Sequence, residues 1–283
     1  MQRISIDYKC VIIVVVLCAI GAESERDDRF PENLDEWYST IPPKINSAEW
    51  ITANHDVDHE WEVYQDGLRT KVRIRKHRQD NLDEIPNVIR RSVENEGLTG
   101  ILKSMKVDDG WIVSSDRGEF AGGGQWWFSF DGKTNYKISD LGVVNFHVLT
   151  NGLIGIQPQH SFKGRLLRYV KSHKGIWDIE TIIDFKGYPL ISTLLSDGSI
   201  IVVADDRLIK ISQDYKNISI LLTDMFWTGL YPNSIVYGDN ATIYIGMRHG
   251  AAMIQNNDNS YNVKWLMPSN KFADIIENIE GFK

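Results

Sequence analysis

Between Tyr231 and Gln255 the chain reads YPNSIVYGDNATIYIGMRHGAAMIQ: an apolar run, a tight turn, a second apolar run, a polar loop and a third run. β-Branched and aromatic positions bounded by turn residues are strand signals, and Gly238-Asp239-Asn240 tolerates the positive φ of a short hairpin. The same layout occupies Tyr188 to Ser212, turning at Asp197-Gly198. It recurs from Val143 to Val170, with Asn151-Gly152 as the turn and His160 to Gly164 in the polar loop. The first clear copy, Gly100 to Phe130, turns at Asp109-Gly110 and loops through Arg117 to Gly124.

Gly110, Gly152 and Gly198 lie 42 and 46 residues apart, and Asn240 follows 42 later. A fourth, outer strand is expected in each unit: Tyr136 to Ser139, Trp177 to Ile183, Ile218 to Leu222 and Val263 to Leu266. Self-similarity at a period in the forties, with four strands per unit, points to propeller blades. A β-sandwich has strands at similar spacing but no such long repeat. The expected fold is therefore all-β, a β-propeller of about five four-stranded blades over residues 45–270, clearest from 98 to 267.

These residues also resemble known repeats. The Tyr-Pro, apolar strand, Asp-Gly pattern ending in IYIGMRHGAAMI is similar to NHL-type and two-component-regulator sensor propellers. The stretches Asp109 to Lys133, Gly229 to Val236 and Ile243 to Gly250 resemble an uncharacterised family of exported bacterial proteins. The resemblance covers roughly residues 100 to 267 and implies a fold without an activity.

Residues 1–22 read as a signal peptide. Arg3 and Lys9 precede the apolar run Val11 to Ala22, and Ala19 and Gly21 suit cleavage before Glu23. A run of twelve residues is too short to span a bilayer. Leu17 stands where a lipid-anchored protein needs a small residue before Cys18, so a periplasmic or secreted chain is expected. Both cysteines, Cys10 and Cys18, fall in this segment, which removes disulfides and thiolate chemistry from the mature chain. The net charge of −7 becomes −8 once Arg3, Lys9 and Asp7 are gone. A mildly acidic surface is a poor partner for nucleic acid.

Residues 23–44 read as a polar leader that Leu34, Trp37 and Tyr38 could dock, and 271–283 as a C-terminal tail with a short helix. Asp66-Gly67 predicts a two-residue hairpin that sets Trp61, Val63, Thr70 and Val72 on one face. That register pairs Glu62 with Lys71 and Glu60 with Arg73, neutralising the basic alternation Arg69, Lys71, Arg73, Arg75. Asn81 to Glu96 has helical spacing at Ile85, Val88 and Ile89 but contains Pro86, so its class stays open. An extra blade there would complete five.

In a propeller the second-to-third-strand loops and the blade linkers emerge at one end of the ring. Here those segments hold Glu119 with Gly122, Gly123 and Gly124, then His160, Asp205-Asp206-Arg207 and Arg248-His249, joined by His147, Tyr188, Trp227, Tyr231 and Asn233. The turns at the other end are plain Asp-Gly or Asn-Gly. The expected ligand site is thus Glu119, Gly122, Gly123, Gly124, Tyr231, Asn233, Arg248 and His249, taking a small anionic ligand or a protein partner. Three glycines can expose backbone N–H groups to an anion, or simply make a wide turn. Arg248 offers a planar fork for a carboxylate or phosphate, and His249 a base or ligand.

Two metal readings stand beside this one. His55-Asp56-Val57-Asp58-His59 carries four potential ligands, though a solvated loop has the same composition. Glu119, Asn145, Asp205 and Asn233 could hold a divalent ion as in lactone-hydrolysing propellers, a fold-level analogy. A hydrolase or lyase using Glu119 and His249 as acid and base is the alternative to a binding or sensing module. No nucleophile elbow, phosphate loop or dinucleotide fingerprint is present, so the sequence names no cofactor.

Overall fold

The computed structural model describes residues 30–75, 85–117, 122–150, 152–257 and 260–268. The expected signal peptide, Glu119 and the C-terminal tail lie outside the described residues. In chain order the elements are β1 (Tyr38–Thr40), α1 (Ala48–His55), β2 (Trp61–Asp66), β3 (Arg69–Ile74) and α2 (Asn87–Asn95). Then follow β4 (Ile101–Val107), β5 (Gly110–Asp116), β6 (Gly123–Ser129), β7 (Asn135–Ser139), β8 (Asn145–Leu149), β9 (Gly152–Gln159), β10 (Lys163–Lys171) and β11 (Trp177–Lys186). The last eight are β12 (Pro189–Leu194), β13 (Ile200–Ala204), β14 (Leu208–Ile211), β15 (Ile218–Leu222), β16 (Ser234–Tyr237), β17 (Ile243–Met247), β18 (Gly250–Asn257) and β19 (Ser260–Met267).

Four antiparallel sheets form in sequence: β4–β7, β8–β11, β12–β15 and β16–β19. The first strand of each lies against the first strand of the next, β4 by β8, β8 by β12 and β12 by β16, while β2 lies against β16 and β17. The arrangement is consistent with a β-propeller. Strand β13 shows why neighbouring sheets stack. Its alternation sends Ile200, Val202 and Ala204 toward Ile154, Ile156 and Leu166 of the preceding sheet. Ile201 and Val203 go the other way, to Ile243, Ile245 and Met247 of the following one. A strand with period 2 and both faces covered must be apolar throughout, as β13 is. Each of its isoleucine and valine side chains contributes about 1.5–3 kcal/mol by burial.

The N-terminal third departs from the expectation of a fifth four-stranded blade. Its described residues form β1, α1, the β2–β3 hairpin and α2. Pro86 is the N-cap of α2, where a missing N–H costs nothing, so the proline begins the helix rather than breaking it. Ile85, Ile89 and Val93 are buried on Leu102, Val113 and Phe128 of the β4–β7 sheet, and Val88 is exposed. The helix thus covers a sheet face. On the other side, Trp61, Val63 and Val72 pack with Val236, Ala251 and Leu266 of the last sheet. Leu34 and Trp37 join them, and β1 adds to β19 as a fifth strand, so the leader docks through both.

The β2–β3 turn is Gly67-Leu68, not Asp66-Gly67, because Gly67 alone in the turn takes a positive φ, of 60°. Trp61, Val63 and Val72 stay buried and Thr70 is half-buried, but the cross-strand partners slide. Glu62 faces Arg73 and bonds it at 3.0 Å, Lys71 pairs with Asp66 at 2.7 Å, and Glu60 with Arg75 at 3.6 Å. The basic stripe is neutralised by different carboxylates from those expected. In the first sheet, likewise, the turn is Asp108-Asp109 and Gly110 opens β5. A Cβ at Gly110 would stand 2.1 Å from the Phe128 carbonyl oxygen, so this glycine permits close approach rather than a turn.

Candidate functional site

Where the end of β5, Gly122, the β9–β10 loop and two blade linkers meet, a small open recess is lined by Asp116, Gly122, Leu141, Gly142, Pro158, Gln159, His160 and Tyr188. Glycines make the meeting possible. A Cβ on Gly123 or Gly142 would lie 2.1 or 2.2 Å from the Ser115 carbonyl oxygen, so only hydrogen there lets both segments touch β5. Gly122 takes φ +70° with open space beside it. The hydroxyl of Ser114 accepts from Val143 N at 2.7 Å and donates to the Val143 carbonyl at 3.1 Å, fixing the linker.

Beneath the recess lies a buried polar network that the sequence reading passed over. The Leu141 carbonyl accepts from Gln125 Nε2 at 2.7 Å and Gln157 Nε2 at 3.1 Å. The Tyr169 hydroxyl donates to Gln125 Oε1, and its burial pushes the phenol well above its ordinary pKa. Two glutamines inside otherwise apolar strands, in GGGQWWF and GIQPQ, were the available signal. Buried amides must find partners, and here they hold the linker that forms the recess floor.

A second group gathers where the N-terminal segment meets the last sheet. Arg248 Nε donates to Glu60 Oε1 at 3.3 Å and its Nη1 to the Asn54 carbonyl at 3.1 Å. Its guanidinium lies 3.9 Å from the centre of the Tyr231 ring. His249, 2% exposed and at φ +59°, bonds Asp56 Oδ2 through Nδ1 at 2.5 Å. Asp56 also accepts from His59 Nδ1 at 2.9 Å. Burial alone would push the Asp56 carboxyl up, but hydrogen bonds from His249 and His59, with their charge, hold it well below the usual carboxylate range. Nε2 of His249 is buried and has no hydrogen-bond partner among the described residues.

The structure therefore brings Tyr231, Arg248 and His249 together and places Gly122 in a different group of residues. Gly123 and Gly124 run into β6. Of the proposed metal set, Asn145 Oδ1 accepts from Ser192 N at 3.2 Å and Asp205 Oδ1 from Tyr188 N at 3.1 Å. Burial, then the neighbouring Asp206, raises the Asp205 carboxyl. The Asn233 amide is buried without a partner among the described residues. Asp56 and His59 are occupied with each other and with His249. Among the described residues no group of three His, Cys, Asp or Glu side chains is placed to hold a metal ion.

His147, on β8, bonds the Ser192 hydroxyl of β12 at 2.8 Å, and burial pushes its imidazole down to about 4. The opposite end of the sheets is less plain than expected. Asp109 accepts from the indoles of Trp127 at 3.1 Å and Trp177 at 2.9 Å, and Lys171 bonds it at 2.7 Å. This clasp ties the β4–β7 sheet to the β8–β11 sheet.

No helix among the described residues is long and apolar enough to cross a membrane. No family model matches the chain, and no curated protein matches it. Among solved structures, a virginiamycin B lyase from Staphylococcus aureus is similar over 59% of this chain and 55% of its own, at 16% identity and a TM-score of 0.40. A nidogen/laminin complex is similar over 57% and 60%, at 11% identity and a TM-score of 0.38. An oligogalacturonate lyase in complex with manganese is similar over 61% and 49%, at 10% identity and a TM-score of 0.37. This chain thus spans about half to three fifths of the length of each, and likeness at such scores carries no activity across to it.

Proposed function

We propose that the protein is a binding or sensing module, exported after removal of its signal peptide, whose ligand site is the loop-rich end of a five-unit propeller. In this reading the β2–β3 hairpin and α2 stand where a fifth blade would. One observation supports it above the others: the recess bounded by Asp116, Gly122, His160 and Tyr188 joins segments of three successive sheets and opens to solvent.

The hydrolase or lyase reading draws less support. A general base has to reach a substrate proton. His249 is 2% exposed and its Nδ1 is engaged by Asp56, which suits a fastening role. A thermal-shift panel of sugars, organic acids, amines and divalent metals on the mature chain tests the binding reading. A shift that disappears in both Glu119→Ala and His160→Ala is expected. A panel without hits, or hits indifferent to both substitutions, would leave a purely structural module.

A further inference from the structure

The outer edges of the four sheets are protected to different degrees. An edge strand leaves every second N–H and C=O without a strand partner, and proteins blunt such edges with charge, proline, bulges or brevity. β11 carries Asp178, Glu180, Asp184 and Lys186, and β7 carries Lys137. β1, which extends the last sheet beyond β19, is three residues long and is soon followed by Pro42-Pro43. β15 is the exception. It reads Ile-Ser-Ile-Leu-Leu, with no charge, proline or glycine. It ends its sheet, and among the described residues no strand lies beyond it. Ile220, at its centre, is 52% exposed. The register skips at Leu221, but β7 and β11 carry such a bulge and charges besides.

We propose that β15 pairs antiparallel with β15 of a second copy of this chain, about a two-fold axis at Ile220. The flanks of the strand point to a second copy as the occupant. Lys216 lies two residues before β15 and Asp224 two residues after it, both exposed. The two-fold sets Ile218 against Leu222 of the second copy and brings Lys216 toward Asp224 of the second copy, at both ends alike. Opposite charges facing across strands stabilise a pair, and like charges destabilise it. Within one chain Asp224 accepts from Thr223 Oγ1 at 3.1 Å, and among the described residues neither Asp224 nor Lys216 is in an ion pair. Arg207, whose charge reaches Asp224, is bonded to Asp206 at 2.6 and 2.7 Å. An edge that meets its own copy is used up, so growth stops at two. Five residues of strand bury less than the ~1,200–2,000 Å² of a standard interface, so the dimer is weak and depends on concentration.

Sedimentation equilibrium of the mature chain, from about 5 µM to about 500 µM, should show monomer passing into dimer. Ile220→Lys puts a charge on the axis and should leave only monomer. Lys216→Asp and Asp224→Lys each set like charges together at both ends, and each should weaken the dimer about tenfold. Mixing these two variants puts opposite charges together again at both ends of the heterodimer, so the mixture should associate as the parent does. All three positions are exposed, and an unchanged circular dichroism spectrum and melting temperature show that each variant keeps the fold. A monomer at every concentration overturns the proposal. So does a dimer indifferent to Ile220→Lys, which uses another face. A dimer that the charge variants weaken and their mixture does not restore also overturns it, because only the two-fold register predicts that rescue.

Discussion

His249 reaches Asp56 across 193 residues of sequence, its Nδ1 2.5 Å from Oδ2 of the carboxylate. The bond fastens the loop between β17 and β18 to the segment after α1. Around it lie the Arg248–Glu60 pair, the His249 N to His59 carbonyl bond of 2.9 Å and the Trp50 indole bonded to the Phe226 carbonyl at 2.9 Å. With the β1–β19 pairing and the Glu60–Arg248 bridge, the Asp56–His249 bond is one of several links that tie the N-terminal segment to the last sheet. Asp56→Ala should leave the buried His249 Nδ1 without its acceptor and cost about 3–5 kcal/mol. Urea unfolding checks this. The Asp56→Ala and His249→Gln losses should fall well short of additive in the double variant.

Acid should loosen the inner strands through His147. Its folded-state value of about 4 lies below the ordinary 6.5, so as the pH falls the unfolded chain binds a proton before the folded one does. The stability contributed is full above about 6.5 and is lost progressively down to about 4, on the order of 3 kcal/mol. His147→Gln keeps a partner for Ser192 and removes the titration. The difference in unfolding free energy between the two proteins, followed from pH 7 to pH 4, should close toward acid. A constant difference would mean that His147 protonates equally in both states.

How much of this was legible in the residues differs by region. The outer strand Ile218–Leu222 lies where the pattern put it, because β-branched runs between turn residues leave one solution. Asp108-Asp109 and Gly67-Leu68 each lie one residue from the expected turn, since a glycine marks either a positive φ or a close approach and the letter does not say which. Helix α1 was missed. Its buried contribution is Ala53 alone, too little to give an apolar stripe. The Asp56–His249 bond could not be seen at all, because nothing local in HDVDH or RHG announces a partner on the far side of the chain.

The glycines of the recess separate packing from conformation. Gly142→Ala places a methyl 2.2 Å from the Ser115 backbone oxygen, which cannot move without breaking the β5 ladder. A loss of about 1–3 kcal/mol is expected, together with a displaced Leu141 linker. Gly122→Ala meets nothing within 4 Å and pays only for its φ of +70°, about 1–2 kcal/mol. Both variants should weaken any ligand of the recess. Only the first should also disturb the amide signals of Gln125 and Gln157, read by NMR.

Helix α2 supplies the last test, because it decides whether the N-terminal third is part of the fold or an appendage. Ile89 is fully buried against Leu102, Val113 and Phe128, whereas Val88, one residue earlier, is 55% exposed. If α2 covers the β4–β7 sheet as part of one cooperative unit, Ile89→Ala should cost about 2–5 kcal/mol and lower a single unfolding transition. Val88→Ala should change stability by no more than about 0.5 kcal/mol. Differential scanning calorimetry distinguishes the outcomes. A low-temperature transition that moves with Ile89→Ala while the main one stays put would make α2 a separately melting flap. In that case the β4–β7 sheet would be held mainly by the clasp to β8–β11, through Asp109, Lys171, Trp127 and Trp177.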